Sequence, residues 1–308
     1  MNIALTGANG FIGSHLTKFI SNLKNVNLIL IVRNKSNSSN YNQLTYQDFF
    51  KAREAIQIDL FIHLAAPNAD YGKDRLIEKG IIDLTENILK VLSKYHCSKF
   101  IFFSSGKVYG EPGLENVIFN ESSELNPVTD YARSKLIAEE SIEKFLYKKE
   151  INYLIYRLPF VYGIGMKSNI GLLLKCLERS IPMFILTNEN NFKKSFLSVR
   201  NIEQMILNNI SEQRSINNQI INISDSEPIS LTKFIKIYKD KTNSKSLLIP
   251  LNTFIFRLLT KIPFLGTFFI KVYGNFELDN KKSKNIIKKD IITTEKGIIN
   301  YINELKKA

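Results

Sequence analysis

Apolar positions along the chain follow two alternating patterns. Short unbroken runs, such as Ile3-Ala-Leu5 and residues 26–32, 61–64, 99–103 and 154–158, alternate with longer stretches of helical spacing such as Ile12, Leu16, Ile20 and Leu23. Unbroken runs suit strands buried on both faces, and a helix between successive strands is what parallel pairing requires. The pattern therefore predicts an α/β chain with a doubly wound parallel sheet. At 308 residues and 44% hydrophobic content the chain is long enough for one large core and a smaller lobe. No internal repeat or low-complexity domain interrupts it.

Glycines punctuate the first strand-to-helix junction. Asn2-Ile-Ala-Leu-Thr-Gly7 opens into Gly7-Ala-Asn-Gly10-Phe-Ile-Gly13 and then the first helical pattern. That order is the one a dinucleotide loop needs. Two glycines give a tight turn and close approach of a pyrophosphate, and the third lets helix pack on strand with its N-terminus toward the phosphates. Gly7, Gly10, Phe11, Ile12 and Gly13 are accordingly candidate cofactor contacts. An acid about 20 residues further on would hold a ribose 2′-hydroxyl, but the first acidic residue of the chain is Asp48, and the second strand ends in Arg33-Asn-Lys-Ser36. Arg33 and Ser36 suit a 2′-phosphate, so NADP is the expected cofactor and NAD the alternative.

Tyr131-Ala-Arg-Ser-Lys135 carries candidate chemistry. Four residues apart on a helix, the Lys135 ammonium stands beside the Tyr131 phenol and brings its proton within working range. The spacing alone is weak, since Tyr95 and Lys99 repeat it beside an apolar strand with no serine-bearing strand before them. Ser105, in Ile-Phe-Phe-Ser-Ser-Gly-Lys-Val-Tyr-Gly110, supplies the support that pair lacks: a hydroxyl 26 residues before Tyr131. Ser105, Tyr131 and Lys135 read as a hydride-transfer site.

Composition removes other classes. Cys97 and Cys176 have no metal-ligand spacing, and His15, His63 and His96 form no ligand set, so no metal is expected. The net charge of +13 has much of its excess in Lys281-Lys-Ser-Lys284 and Lys288-Lys289. No nucleic-acid module accompanies it, so a solvated basic face, or positive potential for an anionic substrate, is the expected account. The apolar residues 247–273 are broken by Arg257, Lys261 and Pro263 and make no clean membrane span. Packing within the smaller lobe is expected there, with contact at a membrane surface the alternative. The chain opens directly on a strand, so no leader and a cytoplasmic location are expected.

Taken together, these motifs resemble those of the extended short-chain dehydrogenase/reductases that modify nucleotide sugars, the NAD-dependent epimerase/dehydratase family, over nearly the full length. Thr6-Gly-Ala-Asn-Gly-Phe-Ile-Gly13 resembles the family's dinucleotide fingerprint, and His63-Leu-Ala-Ala66 the segment lining the nicotinamide ribose, which implies Leu64, Ala65 and Ala66 as cofactor contacts. Ser105, four residues before the tyrosine of Val-Tyr-Gly110, stands where the family has its catalytic serine or threonine, and Tyr131 and Lys135 where it has its catalytic pair. Arg157-Leu-Pro-Phe-Val-Tyr-Gly163 is similar to the segment that passes the nicotinamide, adding Pro159 as a cofactor contact. The resemblance implies a Rossmann-type domain over 1–160, with 198–225 returning to it, and a smaller C-terminal substrate-binding lobe over 161–197 and 226–308. Within the family, Met166 to Asn169 and Lys193-Lys194-Ser-Phe-Leu-Ser-Val199 are similar to the UDP-glucose 4-epimerase-like branch, which implies Ser105, Asn169 and Lys194 as substrate contacts. It also implies a homodimer through helices adjoining Lys90 and Tyr131.

Two positions depart from the family pattern. Phe160 and Ile81 stand where many relatives carry asparagines that reach the sugar diphosphate and the cofactor. Three readings follow. The first is an NADPH-dependent reductase of a 4-keto (deoxy)hexose linked to UDP or another nucleotide, serving surface-polysaccharide precursor synthesis. The second is a nucleotide-sugar 4-epimerase with bound NAD, and the third a non-catalytic dinucleotide-binding protein. The missing acid after the second strand favours the first.

Overall fold

The computed structural model describes residues 1–38, 40–51, 56–66, 74–188, 192–211, 216–287 and 291–307, with side chains from residue 80 onward in the segment that starts at 74. Lys288 and Lys289, part of the expected basic face, lie outside them. The chain divides into two compact units, one of residues 1–108, 125–158 and 206–221, the other of residues 109–124, 159–205 and 222–308. Residues 109–124, 159–160, 198–205 and 222–225, expected in the first domain, thus fall in the second unit.

The first unit is built on β1 (Asn2–Thr6), α1 (Phe11–Ser21), β2 (Asn27–Val32), β3 (Asn42–Thr45), α2 (Tyr46–Lys51), β4 (Leu60–His63), α3 (Asp74–Leu92) and β5 (Lys99–Ser105). After β6 (Ile118–Phe119), which pairs elsewhere, α4 (Asp130–Lys148) and β7 (Asn152–Leu158) continue it. Its seven-stranded sheet has the order β11-β7-β5-β4-β1-β2-β3, where β11 is Gln219–Asn222. Pairing is parallel from β7 through β3. β1 is the switch point, since the order runs outward from it in opposite directions, and such sheets bind ligands beyond the carboxyl ends of the strands there. Ala4 stands opposite Ile29 on one side and Phe61 on the other. The strands the apolar runs predict all form.

Aromatic packing closes this core. Phe61 stacks on Phe100 at 5.3 Å and Phe49 on Tyr95 at 4.5 Å, all four rings buried. Each such ring stabilises the fold by about 1.5–3 kcal/mol relative to exposure. Tyr95 is thereby a core residue, its hydroxyl donating to the Phe49 carbonyl, while Lys99 opens β5 and donates to the Ile216 carbonyl at 3.1 Å. That Tyr-x-x-x-Lys step is structural.

The second unit comprises β6, β8 (Phe160–Tyr162), α5 (Asn169–Glu178), β9 (Met183–Leu186), β10 (Phe196–Ser198), most of α6 (Val199–Ser211), α7 (Leu231–Thr242) and β12 (Leu248–Leu251). It ends with α8 (Thr253–Leu259), α9 (Leu265–Tyr273), β13 (Glu277–Leu278), α10 (Lys281–Ile286) and α11 (Thr294–Leu305). Three parallel strand pairs, β8 with β10, β9 with β12 and β6 with β13, tie distant segments together. At its centre the buried Asp225 carboxylate accepts from the Tyr162 hydroxyl at 2.7 Å, the Ser198 amide at 2.8 Å and the Asn201 side chain at 2.7 Å. Burial nonetheless raises this carboxyl to about 6. Among the described residues no helix is long and apolar enough to cross a membrane.

Candidate active site

Backbone geometry explains the glycine loop. Gly7 leaves β1 with φ 74°, and a Cβ there would stand 2.8 Å from the Ala65 nitrogen. The exits of β1 and β4 can approach this closely only through glycine. The Gly10 amide closes the turn on the Gly7 carbonyl at 2.9 Å, and a Cβ on Gly13 would fall 2.0 Å from that same carbonyl oxygen. α1 then starts at Phe11 with no side-chain cap and no acid in its first turn. Its first amides are left for an anion. This cradle fits a dinucleotide pyrophosphate, and Gly7, Gly10, Phe11, Ile12 and Gly13 form it together.

A buried relay fixes the segment after β4. Burial pushes the His63 imidazole down to about 3, so the ring is neutral and carries one N–H. The Thr85 hydroxyl donates to the Ile81 carbonyl at 2.8 Å, so Nε2 of His63 donates to Thr85 at 3.1 Å. Nδ1 of His63 must then accept from the Thr6 hydroxyl at 2.7 Å. The Thr6 oxygen in turn accepts from the Leu64 and Ala65 amides at 3.2 Å each. One chain of hydrogen bonds thus orients Leu64 and Ala65 beside the glycine turn. Ile81 serves it through its carbonyl, its side chain lying in the core.

Arg33 is exposed just past β2, and the Ser36 amide donates to the Gln43 side chain at 2.8 Å. Asp48, on α2, pairs with Lys35 at 3.3 Å. No acid stands at the end of β2 itself.

α4 and β5 together position Ser105, Tyr131 and Lys135. Thr129 caps α4, its hydroxyl accepting from the Ala132 amide at 3.2 Å, and Tyr131 occupies the first turn. Lys135, one turn on, is buried, and its ammonium donates to the Phe103 carbonyl at 2.7 Å. That bond locks the helix to β5 two residues before Ser105, whose hydroxyl accepts from the Lys107 amide at 3.2 Å. The ammonium also lies 4.5 Å from the centre of the Phe102 ring and 6.0 Å from that of Tyr131. Burial pushes Lys135 down to about 7, and the Glu139 carboxylate opposes the fall. A cation that titrates near neutrality beside a phenol suits proton transfer.

Glu139 is a residue the motif reading misses. One turn beyond Lys135, it meets the Arg157 guanidinium at 2.6 Å, with both side chains at most 2% exposed, and accepts from the Ser104 hydroxyl. Its sequence signal was the four-residue step from Lys135, together with an arginine inside an otherwise apolar strand. Neither had meaning until β5 and β7 were paired, Ser104 opposite Arg157.

Four candidates fall in the second unit. Pro159 and Phe160 enter β8, and the Phe160 ring packs edge-on against Phe196 at 5.9 Å. Asn169 is exposed at the start of α5, behind the capping hydroxyl of Ser168. Lys194 is different. It is buried, and its ammonium donates to the Lys271 carbonyl at 2.7 Å, so reaching a diphosphate would mean leaving that carbonyl.

Comparison with known proteins places the chain in a family. The sequence model described as the NAD dependent epimerase/dehydratase family matches residues 3–224. A putative UDP-glucose 4-epimerase of Methanocaldococcus jannaschii is 28% identical, covering 99% of this chain and 98% of its own length. The UDP-glucose 4-epimerase of Vibrio cholerae is 24% identical over 93% and 89%. Among solved structures, the UDP-N-acetylglucosamine 4-epimerase from Bacillus cereus superposes with a TM-score of 0.78 at 18% identity, covering all of both chains. The UDP-glucuronic acid 4-epimerase from Bacillus cereus in complex with NAD gives 0.77 at 20% identity, covering 100% of this chain and 98% of its own. These likenesses are of fold.

Proposed function

The chain belongs to the NAD-dependent epimerase/dehydratase family, and from that premise we propose that it is a nucleotide-sugar 4-epimerase working with a tightly held NAD. The chain is an extended short-chain dehydrogenase/reductase enzyme; what is proposed is the reaction. The observation that carries it is the full-length likeness to 4-epimerases in a chain whose Lys135 ammonium lies beside the Tyr131 ring. The dinucleotide, when bound, supplies hydride uptake and return at C4. Residues of the chain move the proton. Tyr131 takes it from the C4 hydroxyl and gives it back, Ser105 hydrogen-bonds the same oxygen, and Lys135 lowers the cost of the phenolate. Asn169, exposed at the start of α5, is the diphosphate contact in this reading.

A second reading keeps the same residues and rests on Arg33. With a cation and no acid at the end of β2, the site is suited to a 2′-phosphate, hence to NADPH and reduction of a nucleotide-linked 4-keto sugar. Denaturing the purified protein and identifying any released dinucleotide tests the proposal. Released NAD, together with conversion of a UDP-hexose to its C4 epimer without added cofactor, supports it. A protein that releases no NAD and oxidises NADPH with a UDP-4-keto-6-deoxyhexose supports the reductase instead.

A further inference from the structure

The helical hairpin of α8 and α9 carries apolar side chains that its own unit does not cover. Phe256 and Phe269 point inward and are buried, Phe256 against Phe192 at 5.0 Å. Outward stand Phe254 at 69% exposure, Phe264 at 92% and Phe268 at 53%, with Ile255, Leu258, Ile262 and Leu265 also exposed. An apolar patch of this kind marks an interaction surface. The tip is strained. Phe264 has φ 63° and ψ −51°, spanned by a bond from the Leu265 amide to the Pro263 carbonyl at 2.7 Å. That conformation costs a non-glycine residue free energy, and here it presents a ring to solvent. The turn is also tight, since a Cβ on Gly266 would fall 2.1 Å from the Thr260 carbonyl oxygen.

Charge says what fits the patch. Residues 241–276 contain no acid, while Arg257 and Lys261 on the hairpin are exposed and Lys241, Lys245 and Lys271 belong to the same run. Positive charge flanking a strip of exposed rings and aliphatic side chains calls for a partner that is apolar inside and anionic at its rim. An anionic lipid surface is such a partner, because exposed aromatic and aliphatic side chains enter the acyl boundary while arginine and lysine stay with the headgroups. From the exposed rings, the strained tip and the acid-free run, we infer that the α8–α9 hairpin docks this enzyme reversibly on anionic membrane surfaces. The expected packing of this stretch within the lobe holds for its inner face only.

Sedimentation of the full chain with vesicles of phosphatidylglycerol and phosphatidylcholine, and with phosphatidylcholine alone, tests this. Binding is expected to the anionic vesicles and to be released by about 0.5 M salt. The double variant Phe264→Ser, Phe268→Ser should lower the bound-to-free ratio about tenfold or more, because two aromatic anchors are lost. Arg257→Glu with Lys261→Glu should do the same, and both variants should keep wild-type turnover in solution. Equal failure to bind either vesicle overturns the inference. So does a stable oligomer, seen by analytical ultracentrifugation, that Phe264→Ser dissociates, because a second copy would then be the occupant.

Discussion

Replacing the Tyr131 phenol by Phe removes one oxygen from α4 and leaves its packing in place. Turnover should fall roughly 10²–10⁴-fold while dinucleotide binding, followed by fluorescence titration, stays near wild type. Residual activity above about a tenth of wild type would take Tyr131 out of the proton path. Glu139→Gln should act differently. It leaves the Arg157 charge buried without its partner, and loss of one member of a buried pair costs about 3–5 kcal/mol, readable in urea unfolding. Losing the carboxylate that holds up Lys135 should also move the alkaline limb of kcat to lower pH. Ser105, Tyr131 and Lys135 can be proposed from the sequence because local spacing and a neighbouring strand single them out. Glu139 and Arg157 were not, because their meeting depends on strand register. Lys194 shows the converse: its place in a motif suggested a diphosphate contact, and tertiary packing gave its ammonium a carbonyl instead.

At the scale of elements, the glycine loop has the sharpest geometric demand. Gly13→Ala would drive a methyl into the Gly7 carbonyl, so the variant should lose thermal stability by an overpacking cost of about 1–3 kcal/mol and bind dinucleotide poorly. A variant with unchanged Tm and unchanged affinity would mean that α1 can slide away from β1. Strands read from apolar runs, such as β1, β2, β5 and β7, appear with small changes at their ends, because burial on both faces imposes a composition visible in sequence. β3 was not legible. Its Asn42-Gln-Leu-Thr45 has no apolar run, and it exists because β2 offers an edge. The α8–α9 hairpin was legible as apolar but not as half exposed. Which side of a helix finds a partner is decided by the rest of the unit.

For the whole molecule, two buried groups in separate units give opposite responses to acid. His63 takes up a proton below its ordinary 6.5 when unfolded, but only near 3 when folded, so stability present above pH 6.5 is lost as pH falls toward 3. Asp225 holds its proton up to about 6 when folded and releases it near 3.8 when unfolded, so its contribution is present below 3.8 and lost as pH rises through 6. Urea unfolding at about pH 7 and about pH 4.5 should therefore show the deficit of His63→Gln shrinking in acid and that of Asp225→Asn growing. Deficits that do not change with pH would show that neither group titrates as its burial implies. The α/β organisation was legible from the alternation of elements, whereas the assignment of residues 109–124 to the second unit was not, because it rests on partners distant in sequence: β6 pairs with β13, Gly113 meets Asn275 and the Phe119 ring meets Phe276.

Isotope tracing follows the reaction at the carbon where it happens. The purified chain is incubated with a UDP-hexose carrying deuterium at C4 and no added dinucleotide. An epimerase returns the label to the same carbon, so the product should be the C4 epimer with its deuterium retained, and Tyr131→Phe should form none. Product that appears only when NADPH is supplied with a 4-keto sugar, with the UDP-hexose left untouched, would make the enzyme a reductase and not an epimerase.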